Sequence, residues 1–130
     1  MAALTAYWRR IDFGRGFMAK IKKLSDLNDR IGFTVLAAPD QFPKIGAFGS
    51  DQKKNLLTAF DILQEGMPFV EKKIKDPIQL AHLQQLLKES LDAYQQGDDM
   101  KGAHLLQDFQ SIVFPNRFKE YEERKGDHAL

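Results

Sequence analysis

His104 and Asp108 stand four residues apart, a spacing that places two side chains one turn apart on one helix face. So placed, a carboxylate can orient an imidazole for general-base work or metal binding. The remaining histidines, His82 and His128, are distant in sequence. A metal site needs three or four ligands and a catalytic base needs a pocket, so the pair reads as a surface ion pair. His82 flanks an apolar stripe as a boundary residue, and His128 falls in the tail. Gly14-Arg15-Gly16-Phe17-Met18-Ala19 has the two glycines and small third residue of a loose dinucleotide pattern. Such a loop binds phosphate only after a strand and at the head of a βαβ unit. Tyr7 to Asp12 makes a poor strand, and no strand–helix alternation follows, so the glycines read as a turn.

Two charged groups offer surfaces rather than chemistry. Glu89, Asp92, Asp98 and Asp99 cluster around one expected helix–helix turn. Asp98 and Asp99 have a structural use already, since negative charge in a helix's first turn is worth ~0.3–1 kcal/mol. The same carboxylates can also receive Lys or Arg from a partner, because a cap can be an epitope. Arg9, Arg10, Arg15, Lys20, Lys22 and Lys23 interleave with Tyr7, Trp8, Phe13 and Phe17, the composition of a nucleic-acid surface. Asp12, Asp26 and Asp29 compensate that stripe and no docking motif accompanies it, so it reads as a solvated face. Across the chain the formal charge is only +1, yet residues 1–39 carry +4 and residues 40–100 carry −3. Opposite signs within one chain fit intramolecular complementarity, or an acidic middle that steers a basic partner.

The elements that must position these groups are helices. Asp76 can cap a helix that Pro77 opens, and Leu80, Leu83, Leu87, Leu91 and Tyr94 recur at steps of three and four. Gly97 ends that helix and Asp98 caps the next, whose stripe is Gly102, Leu106, Phe109 and Val113, widened by Leu105 and Ile112. Pro115 stops it. So short a connection folds the two helices back on each other over residues 76–115. Upstream, Ala3 to Ile11 reads as a short helix. A second runs from Phe17 to Ala38 on Phe17, Ile21, Leu24, Leu27, Ile31, Val35 and Ala38. Residues 31–38 are β-prone in composition, but the helical stripe continues in phase across Gly32, which favours helix over strand. Asp40 to Gly49 is a loop whose Phe42, Ile45 and Phe48 are expected to tuck back onto the helices. Ser50 is the expected cap of a helix to Glu65 with stripe Leu56, Phe60 and Leu63. A short helix from Pro68, spanning 67–75, is expected to bury Val70 and Ile74. Asn116 can cap a last helix, Arg117 to Lys125, buried through Phe118 and Tyr121, and residues 126–130 are expected to fray.

The expectation is therefore an all-α fold: one helical domain over 1–130, a compact bundle with a C-terminal antiparallel hairpin. At 130 residues, with 43% apolar and 28% charged side chains, the chain can bury a core without staples. Cysteine is absent, which excludes disulfides, thiolate metal sites and a cysteine nucleophile. The first 18 residues lack the unbroken apolar run of a signal peptide, and no run reaches the ~20 residues that span a bilayer. A cytoplasmic protein without cofactor or metal, engaging neither membrane nor nucleic acid, is expected.

Leu86 to Pro115 resembles the helical hairpin of small bacterial immunity proteins encoded beside secreted toxins. Ala93-Tyr94, Gly97-Asp98, Gly102-Ala103-His104 and the Leu106–Phe109 pair carry the likeness. The same stretch resembles one unit of a tetratricopeptide-like hairpin, though a solenoid needs about three. The immunity resemblance implies a non-catalytic inhibitor that binds a cognate toxin. Glu89, Asp92, Asp98 and Asp99 are then the candidate partner-binding residues. A hairpin adaptor, and a small helical enzyme using His104 and Asp108, are the alternatives.

Overall fold

The computed structural model describes residues 21–115, and within them the ordered elements are five α-helices: α1 (Leu24–Ala37), α2 (Gln52–Glu65), α3 (Met67–Lys73), α4 (Pro77–Gln95) and α5 (Asp99–Val113). The expected helices at Ala3–Ile11 and Arg117–Lys125, and the tail at 126–130, lie outside the described residues. The architecture is an all-α bundle in which α4 and α5 pair as an antiparallel hairpin. Helix α1 packs on α5 and α2, and α2 in turn packs on α4 and α3. One apolar cluster runs through the bundle, from Leu27 and Ile31 through Leu63 and Val70 to Leu83, Leu106 and Phe109.

The hairpin is made by local chemistry. The Asp76 carboxylate accepts the Ile78 N–H at 3.0 Å, with Pro77 in the first turn. At the other end of α4, Gly97 takes φ 85°, a conformation that costs a side-chain-bearing residue dearly. Its N–H donates to the Tyr94 carbonyl (3.1 Å) while Asp98 N–H donates to the Ala93 carbonyl (2.9 Å), the paired bonds of a Schellman motif. Asp98 then caps α5 by accepting the Lys101 N–H at 3.2 Å. Gly102, Leu106, Phe109 and Val113 are all buried, as the period requires. Where the two helices come closest, a Cβ on Gly102 would sit 2.8 Å from the Tyr94 ring carbons. There the buried Ser90 Oγ donates to the Gly102 carbonyl at 2.7 Å. The far end is closed by Lys73 of α3, whose ammonium donates to the Val113 carbonyl at 2.6 Å and lies 5.8 Å from the Phe114 ring centre. A cation at a helix C-terminus both satisfies an orphan carbonyl and opposes the dipole.

Four expectations are corrected. Helix α1 begins at Leu24 rather than Phe17: the Lys22 and Lys23 N–H groups donate to the Asp26 carboxylate (3.0 and 3.2 Å), which ends the extended approach there. Its buried residues include Phe33, Thr34 and Ala37, while Val35 and Ala38, the latter beyond the helix end, are half-buried. Residues 31–37 are helical, the reading that the in-phase stripe favoured, so the strand alternative falls. Asp51, not Ser50, caps α2, accepting from the Lys53 and Lys54 amides at 3.0 and 3.3 Å. Finally, α3 starts at Met67 and stops at Lys73, so Val70 is buried but Ile74 only half-buried.

The loop between α1 and α2 folds inward as expected, with Phe42 and Phe48 buried and Ile45 left 38% exposed. Phe33, Phe42 and Phe48 form an aromatic cluster with ring centres 4.9 to 6.0 Å apart. Two amide side chains hold its backbone. Gln52 accepts from the Phe42 N–H (3.1 Å) and donates to the Phe42 carbonyl (3.0 Å). Asn55 does the same for Gly49, both bonds being 2.9 Å. Each carboxamide thus acts as a short strand partner, satisfying one backbone donor and one backbone acceptor of the loop.

Candidate protein-binding site

The candidate residues lie on the C-terminal half of α4 and at the start of α5. Glu89 and Asp92 lie one turn apart on the exposed flank of α4. Glu89 accepts from the Gln85 amide at 3.0 Å, a bond between surface neighbours that holds the carboxylate outward. Asp98 and Asp99 are exposed at the start of α5, and only Asp98 is engaged as a cap. The four are not pure acid: Lys88 and Lys101 are exposed in the same stretch and dilute the field. Met100, the residue after Asp99, is 71% exposed. An exposed apolar side chain that follows two carboxylates at a fixed helix end suits a docking surface, since it can be buried while charge guides approach.

His104 and Asp108 are both exposed on α5, and no hydrogen bond or ion pair joins them among the described residues. No group of three or more His, Cys, Asp or Glu among the described residues could hold a metal ion. No helix among them is long and apolar enough to cross a membrane. The glycine pair at Gly14 and Gly16 and the basic stripe up to Lys20 lie outside the described residues.

Beside the acidic turn lies a feature that periodicity did not reveal. A groove of about 550 Å³ opens where the C-terminal end of α4 meets the first turns of α2 and the chain leaving α1. Pro39, Leu56, Leu57 and Tyr94 supply its apolar walls, and Asp40, Lys53 and Gln95 its polar ones. Leu57 is 44% exposed, an apolar side chain on the wrong side of α2 for the core. Tyr94 is only 3% exposed; its hydroxyl is buried and has no hydrogen-bond partner among the described residues. Its ring is packed edge-on against Phe60, centres 6.2 Å apart. Burial, and secondarily the nearby Asp99 carboxylate, push the phenol pKa from 10.0 up to about 12. The hydroxyl therefore stays protonated across the physiological pH range.

No protein-family model, curated protein or solved structure matches the chain. The four carboxylates picked from sequence spacing are all exposed, two on α4 and two at the start of α5, but that spacing did not point to Leu57, Tyr94 or the groove. Leu57 carried a weak signal, lying out of phase with the stripe Leu56, Phe60 and Leu63. The groove carried none, because three separate segments build it.

Proposed function

We propose that this chain is a non-catalytic protein-binding module, most concretely an immunity protein that neutralises a cognate bacterial toxin by direct contact. The observation that carries the reading is the hairpin end. There Asp98, Asp99 and Met100 stand exposed where α5 begins, and Glu89 and Asp92 stand exposed on the C-terminal half of α4, two helices already fixed by the Gly97 turn and the Ser90–Gly102 bond. Preformed helices lose little conformational freedom on docking, so most of the contact energy is retained as affinity. Carboxylates at the rim accelerate encounter with a basic surface, while a few apolar anchors set the dissociation rate. The partner is thus a protein with a basic face, of the kind a nuclease or other anion-processing toxin presents.

The test is capture from a lysate of the source bacterium, followed by mass spectrometry, with wild type beside a Glu89→Lys, Asp92→Lys, Asp99→Lys variant. The expected result is one toxin-like partner captured by wild type, with association slowed at least tenfold in the variant and its helical circular dichroism unchanged. Asp98 is left intact because it caps α5. Equal association by both proteins refutes the acidic surface. Recovery of a stable multi-subunit host complex, without any toxin-like protein, replaces the immunity reading with an adaptor.

A further inference from the structure

We draw no further inference here: the strongest candidate, the groove where the C-terminal end of α4 meets the first turns of α2 and the chain leaving α1, is walled by Pro39, Leu56 and Leu57 with one acid, Asp40, and one base, Lys53, in its lining, and nothing in the structure shows what covers it.

Discussion

Gly102→Ala tests the hairpin on which the site is mounted. By helix propensity alone the change should help, since alanine in a helix interior is favoured over glycine by ~0.8–1.0 kcal/mol. The structure reverses the sign. The new methyl would stand 2.8 Å from three carbons of the Tyr94 ring, about 0.7 Å inside the ordinary carbon–carbon separation. The ring is not free to turn away, because it is buried with Phe60 against its edge. Relief therefore needs α4 and α5 to part, which stretches the 2.7 Å bond from Ser90 to the Gly102 carbonyl. Overpacking of this kind costs ~1–3 kcal/mol and a weakened buried hydrogen bond ~0.5–1.5 kcal/mol. Set against the propensity gain, the net destabilisation is about 2 kcal/mol. Urea unfolding followed by circular dichroism should show a midpoint lower by about 1 M, for a slope of ~2 kcal/mol per molar. In a Tyr94→Leu background, where the ring is gone, the same substitution should be neutral or stabilising. A Gly102→Ala protein more stable than wild type, with tyrosine still at 94, would refute the close approach of the two helices.

Three further outcomes follow from named contacts. Asn55→Ala removes both bonds to Gly49 and should cost about 1–3 kcal/mol, with faster amide exchange across residues 42–49 as the local readout. Lys73→Met keeps the stem but uncaps the Val113 carbonyl; a loss of about 1 kcal/mol, reduced in high salt, is expected by thermal unfolding. Because the Tyr94 phenol is held at about 12 when folded against 10.0, the unfolded chain gives up that proton first. Stability from this group is complete below pH 10 and falls as pH rises towards 12, by at most ~1.4 kcal/mol per pH unit. Tyr94→Phe should abolish that component in an alkaline titration of the unfolding midpoint, and an unchanged slope would contradict it.

What could be read along the chain was whatever neighbours within a few residues decide. The steps of three and four through Leu83, Leu87, Leu106 and Phe109, the cap at Asp76, the turn at Gly97-Asp98 and the outward carboxylates all depend on local spacing and backbone chemistry. The choice of Ser50 over Asp51 and the start at Phe17 show where that reading fails, since adjacent residues compete for a cap and side-chain bonds such as those to Asp26 decide it.

Contacts between distant segments belonged to the tertiary structure alone. The carboxamide clasps of Gln52 and Asn55, the Gln110–Asn28 bond between α5 and α1 at 2.9 Å, and the Lys73 cap join residues 6 to 82 positions apart. The groove beside Tyr94 is of the same kind. Its walls come from three segments, and the Tyr94 hydroxyl, without a partner among the described residues, is defined by what surrounds it in space. Periodicity tells which face of a helix turns inward; only packing decides whether a polar atom on that face finds a partner.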